Sequence, residues 1–205
     1  EPNVNSPAGV AALNSIASLV EYTHPDHLSH ASNETQALWE SGQVAMAMMW
    51  GSRGAAVLDD EGSTAEVSSN TLLSGAPTAN GGSIPAATLW WDGITIAKNI
   101  PDADAEATFA ALVSVMNSDL MAEHNDKAIW LIDGFKPGPA AAGVSETAAA
   151  GAKPYPMIPY INLMHNALGS ELVDFLKGNE SAADALADVE AVSYTHLRAH
   201  ETGYN

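Results

Sequence analysis

The chain of 205 residues has no cysteine, which excludes disulfides, thiolate-held metals and a cysteine nucleophile together. That absence leaves the compartment open, since exported proteins can also do without the residue. Basic residues are scarce as well: 7 Lys+Arg stand against 25 Asp+Glu, for a formal charge of -18 and a pI near 4.4. Such a surface repels phosphate backbones and anionic lipid, so neither nucleic acid nor a membrane surface is expected as a partner. No apolar run reaches the roughly 18 residues that a membrane span needs. The opening Glu1-Pro2-Asn3 has neither the basic region nor the apolar core of a signal peptide. A start without methionine leads to the expectation that an earlier part of the protein is missing.

Aromatic residues make up only 6% of the chain, so their clustering is informative. Thr88-Leu89-Trp90-Trp91-Asp92-Gly93-Ile94-Thr95-Ile96 sets two indoles and a carboxylate beside a glycine. Ile94, Thr95 and Ile96 read as a short buried strand, with Trp90, Trp91 and Asp92 at its mouth. Indole faces plus one hydrogen-bonding carboxylate suit a ligand with an apolar face and a hydroxyl rim, such as a sugar. A second candidate follows the continuously apolar run 44–50, which reads as a strand buried on both faces. Trp50, Gly51, Ser52 and Arg53 would then gather at that strand's end, where open α/β sheets bind ligands.

The rest of the chain alternates helix and loop signals, and its 46% hydrophobic content suffices for one or two globular units burying roughly 70% of the unfolded surface. Ser6-Pro7 opens a helix over 7–22. Ser32 or Asn33 caps another that runs to Ser41, with Gly42 ending it. A further helix over 51–58 comes directly after Trp50. The Ser/Gly/Ala/Pro-rich stretch 62–87 is a surface excursion with a turn at Asn80-Gly81-Gly82. A helix over 101–117 carries Asp102 and Asp104 near its start, and Phe109, Leu112, Val113 and Met116 as its buried stripe. The alanine-rich 140–152 is helical, the proline-rich 154–160 is extended and displays Tyr155 and Tyr160, and 161–176 is an amphipathic helix closed by Gly178. Ser181 caps a last helix, with Asp184 completing an approximate capping box. His24, His27 and His30 stand three apart and raise the question of a metal. Pro25 argues for a loop in which they need not converge, so neither a metal nor any cofactor is expected.

Three stretches carry a family resemblance: Asn5-Ser6-Pro7-Ala8-Gly9-Val10-Ala11-Ala12-Leu13, Leu38-Trp39-Glu40-Ser41-Gly42-Gln43-Val44-Ala45-Met46 and Leu176-Lys177-Gly178-Asn179-Glu180-Ser181-Ala182-Ala183-Asp184-Ala185-Leu186. They are similar to stretches of the sugar-type extracellular solute-binding proteins, the periplasmic receptors of ABC importers, although Trp39 and Gln43 stand where phenylalanine and lysine are usual. The resemblance implies an α/β, periplasmic binding protein-like class II fold, a two-lobe clamp of which this chain is the C-terminal half. Residues 1–84 would belong to the second lobe, 85–138 would cross into the first lobe and hinge, and 139–191 would return. Residues 192–205 resemble the translation of a sequencing adapter and are expected to be non-native and to pack poorly.

The same resemblance places Trp50, Gly51, Ser52 and Arg53 on one cleft wall, Trp90, Trp91 and Asp92 on the other, and Tyr160 and His165 back at the first. It implies a monomer that binds a sugar or related polyol in the periplasm and delivers it to permease subunits, with no catalytic residue. Asp92 is the one acid in an attractive context, whereas glycoside hydrolysis uses two. The alternatives are a carbohydrate-active enzyme and a ligand-free interaction domain.

Overall fold

The computed structural model describes residues 3–59, 61–79, 81–116, 118–125 and 128–202. Three sequence expectations fall partly outside them: the turn residue Asn80, the helix end at Asn117 and the final residues of the tail. Helices dominate, and the one sheet among the described residues is a two-stranded parallel pair. The chain forms two compact units, Glu1–His30 with Pro156–Asn205, and Ala31–Tyr155. The lobe limits implied by the family resemblance lay at 84/85 and 138/139 instead.

The first unit is built from α1 (Pro7–Val20), α8 (Ile161–Leu176) and α9 (Ala182–Thr202). The first and last of these begin where local chemistry favours it. The Ser6 hydroxyl accepts the Gly9 N–H at 3.1 Å with Pro7 in the first helical position, and Ser181 accepts the Asp184 N–H at 3.2 Å while donating to that residue's carboxylate at 2.7 Å. Gly178, at φ +78°, makes the reversal between α8 and α9 that side-chain-bearing residues resist. Leu13, Phe175, Ala182, Ala185 and Leu186 form the core, flanked by Val10, Ala17 and Leu172. The small residues of α9 let α8 pack closely along it. Tyr160, just before α8, is a non-glycine residue in the left-handed region at φ 63°.

The tail packs better than expected. Residues 192–202 continue α9, Ser193 is buried, and Val192, Tyr194 and Leu197 are half-buried. Arg198 stacks over the Tyr194 ring at 4.8 Å. No glycine or proline interrupts the sequence from Ser181 to Thr202, so each further residue adds a backbone hydrogen bond to a helix already nucleated.

The second unit holds α2 (Ser32–Glu40), α3 (Gly51–Leu58), α4 (Ala65–Asn70), α5 (Asp102–Val115), α6 (Ser118–Glu123) and α7 (Ala142–Ala149), with β1 (Thr88–Leu89) and β2 (Lys153–Pro154). The start of α2 is capped by neither Ser32 nor Asn33; the Glu34 carboxylate reaches back to the Ala31 N–H at 3.0 Å. Helix α3 is the centre of the unit. Val57 is fully buried, and a methyl on Gly54 would crowd Leu73 at 3.0 Å. Side-chain hydrogen bonds tie the loops down: the Ser63 hydroxyl donates to the Val57 carbonyl at 2.7 Å, and Glu146 and Thr147 of α7 accept the Gly75 and Ala76 N–H groups at 2.7 and 2.9 Å.

Three expectations are corrected in this unit. The run 44–50 forms no strand, with a bend at Ala45 and with Met46 and Met48 exposed. Ile94, Thr95 and Ile96 also form no strand, and Ile94 and Thr95 are exposed. Phe109 and Val113 on α5, and Met116 just after it, face outward, with Leu112 only half-buried. The reason is common to all three, because apolar residues become core only when another element covers them, and a strand needs a ladder partner for its N–H and C=O groups. No described element supplies either. Among the described residues no helix is long and apolar enough to cross a membrane.

Replacing Leu186, in the core of the first unit, with alanine should destabilise that unit by about 2–5 kcal/mol through lost burial and the cavity left behind. Leu72→Ala, at a fully solvated position, should stay within about 0.5 kcal/mol. Urea unfolding followed by helical circular dichroism compares the two.

Candidate functional site

The parallel pairing of β1 and β2 is short, yet it fixes the site. Thr88 lies opposite Lys153 and Leu89 opposite Pro154, and the Tyr155 N–H donates to the Leu89 carbonyl at 2.8 Å. In a parallel ladder the next residues in register stand side by side, and here those residues are Trp90 and Tyr155. Their rings meet edge to face, 4.7 Å between centroids at 60°. Trp50, carried on the segment that opens α3, meets Trp90 from elsewhere in the chain at 6.2 Å and 65°. Three rings from three segments thus form one aromatic face, in the edge-to-face geometry that the ring quadrupoles favour.

That face is accessible, with Trp50 54% and Trp90 48% exposed. The Trp90 indole N–H donates to an Asp92 carboxylate oxygen at 3.2 Å, which sets a charged acceptor beside the rings. Gly51 follows Trp50 as the first residue of α3. A methyl there would collide with Val144 at 2.5 Å and Ile129 at 2.6 Å, so only glycine lets the start of α3 sit this close to them.

The remaining expected residues fall elsewhere. Ser52 is exposed at the first turn of α3. Arg53 donates to the Gln36 side-chain carbonyl at 2.9 Å, and the Gln36 amide donates to Glu40 at 2.6 Å, so the guanidinium ties α3 to α2. Trp91 is 51% exposed and makes no ring contact with this cluster among those described. Tyr160 and His165 belong to the other unit, at and within the start of α8. Tyr155 was displayed by the prolines around it but not counted as a site residue, because its place depends on which strand pairs with Lys153 and Pro154. The signal was the shared pattern of two short extended segments that each end in an aromatic residue.

In the first unit His24, Asp26 and His30 bring donor atoms within 4.8 Å of one another, so two of the three histidines do converge in the loop that Pro25 opens, where convergence was not required. Two open depressions in the second unit, of about 680 and 530 Å³, are lined by residues such as Met116, Ile132 and Lys136, and Ile96, Lys98 and Phe109. Neither includes a ring of the aromatic face. No protein-family model and no curated protein matches the chain.

Coupled indoles give an exciton couplet in far-ultraviolet circular dichroism. Trp50→Phe and Trp90→Phe should each abolish it, and Trp91→Phe should leave it. A couplet that survives both of the first two substitutions would show that these rings are not paired as described.

Proposed function

We propose that the chain is the carbohydrate-binding part of a solute receptor serving an ABC-type importer, and that the face of Trp50, Trp90 and Tyr155, with Asp92 beside it, is where the sugar lies. The observation that carries this reading is the convergence of two half-exposed indoles and the partly buried Tyr155 ring, from three chain segments, with the Asp92 carboxylate bonded to one indole. The C–H faces of a pyranose stack on aromatic rings and leave water at little cost, while its hydroxyls seek acceptors at the rim. An ionised carboxylate can accept about four hydrogen bonds, so the Trp90 indole leaves Asp92 capacity for sugar hydroxyls. A formal charge of -18 favours an uncharged ligand over an anionic one.

The class II clamp is the finer part of the same proposal. It is supported by the path of the chain, which leaves the first unit after His30, builds the second and returns at Pro156, as lobes joined by more than one crossing do. It is also supported by the three stretches that resemble the solute-binding family. In this reading the protein works in the periplasm, binds a sugar or polyol reversibly and hands it unchanged to permease subunits. Tyr160 and His165 are not required for the aromatic face.

Titration of a panel of mono- and oligosaccharides, followed by tryptophan fluorescence and calorimetry, tests the proposal. A binding sugar should perturb the emission and be recovered intact. Trp90→Ala and Tyr155→Ala should each weaken binding by about 1–3 kcal/mol, the range for an aromatic anchor in a desolvated contact. Asp92→Asn should cost a similar amount by removing charge-assisted hydrogen bonds. Unchanged dissociation constants in both aromatic variants would remove the face from the site, and release of a cleaved product would replace a receptor with a hydrolase.

A further inference from the structure

The segment between α1 and α2 reads His24-Pro25-Asp26-His27-Leu28-Ser29-His30, and its folding stems from the proline. Proline is favoured at the second position of a type I turn, where its fixed φ is already correct. Asp26 in the third position has φ -91° and ψ 17°, values expected of that turn, and the His27 N–H closes it on the His24 carbonyl at 2.9 Å. A 3₁₀ turn over His27–Ser29 continues the bend directly. The Ser29 N–H and hydroxyl both donate to the Asp26 carbonyl, at 2.9 and 2.8 Å, and the His30 N–H donates to the His27 carbonyl at 3.2 Å. The two successive turns bring the ends of the segment together. The His24 and His30 rings lie 4.8 Å apart between centroids, tilted by 39°.

We propose that this turn binds a borderline divalent transition-metal ion, with zinc as the reference case, through His24, Asp26 and His30. Imidazole nitrogens select zinc and its neighbours over magnesium and calcium, which demand oxygen donors. The donor atoms of the three residues all lie within 4.8 Å of one another, and His24 Nδ1 is 4.0 Å from Asp26 Oδ2. A tetrahedral zinc with bonds of about 2.0–2.1 Å holds its ligands about 3.3 Å apart, so closure asks for side-chain rotation on a turn already folded. His24 Nδ1 accepts the Asp26 N–H at 3.1 Å. On binding, that N–H···N bond is exchanged for a coordination bond.

His27 has a different part. Its Nδ1 lies 3.1 Å from the His24 carbonyl, and its Nε2 is buried with no hydrogen-bond partner among the described residues. His27 is not among the residues whose donor atoms converge, and it braces the turn from within. Asp26 is exposed and the two ligand histidines are half-buried, so protein supplies three ligands and water completes the shell. This inference rests on the first unit alone and stands apart from the sugar reading.

Calorimetric titration of the untagged chain with zinc chloride, paired with nuclear magnetic resonance of the histidine rings, tests it. One high-affinity ion should bind, shifting the ring signals of His24 and His30 while His27 moves little. His24→Ala and His30→Ala should each weaken zinc by at least about tenfold, whereas His165→Ala and His196→Ala should leave the affinity unchanged. Magnesium should not compete. Absence of binding to the wild-type chain, ring shifts confined to other histidines, or full affinity in the double variant His24→Ala/His30→Ala would each overturn the site. The ring shifts are read on the wild-type protein, so they decide the matter even if a variant fails to fold.

Discussion

The parallel contact between β1 and β2 carries more of the second unit than its length suggests. Thr88 and Leu89 meet Lys153 and Pro154 across a long intervening stretch, and closing such a loop costs conformational entropy that grows only slowly with its length. Backbone bonding alone is a thin return, since Pro154 has no N–H to give. The Tyr155 N–H extends the ladder to Leu89, and packing of Trp50, Trp90 and Tyr155 adds apolar burial at the same end. The rings that would contact a ligand thus also hold the strands in register. On the proposed sugar reading, fold and recognition would share one set of contacts there.

The helices were legible because their signals are local. Ser6-Pro7 and Ser181 mark starts, Gly42 and Gly178 mark ends, and α8 runs over the residues that its apolar spacing indicates. The strands were not legible, because a strand is defined by a partner that the sequence does not name. The runs 44–50 and 94–96 have the composition of buried strands and no ladder, whereas Thr88-Leu89 and Lys153-Pro154, with little strand character, do pair. Trp50, Trp90 and Asp92 were visible as candidates from residue chemistry. Their convergence, and the inclusion of Tyr155 with them, depended on that pairing. Arg53 shows the converse: its charge suggested a ligand contact, and Gln36 holds it between two helices.

Proline illustrates how one residue supports opposite readings. Pro25 interrupts a histidine series and leaves its members no need to converge, yet as the second residue of a type I turn it folds His24 toward His30. The residues on its C-terminal side decide between the two. Asp26 is at ease in the third turn position, and His27 and Ser29 extend the bend with a 3₁₀ turn. Side chains six positions apart then meet, although no single helix or strand would bring them together.

Tyr160 leaves a mark of another kind. A residue with a Cβ in the left-handed region costs about 1–2 kcal/mol, and at φ 63° Tyr160 bears that cost at the threshold of α8, where no side chain caps the helix. Asparagine tolerates the same left-handed backbone at lower cost. An engineer seeking a sturdier scaffold would therefore start here, where the gain in thermal resistance is had by giving up an aromatic ring, and the melting temperature of such a variant would measure what the native chain forgoes to keep it.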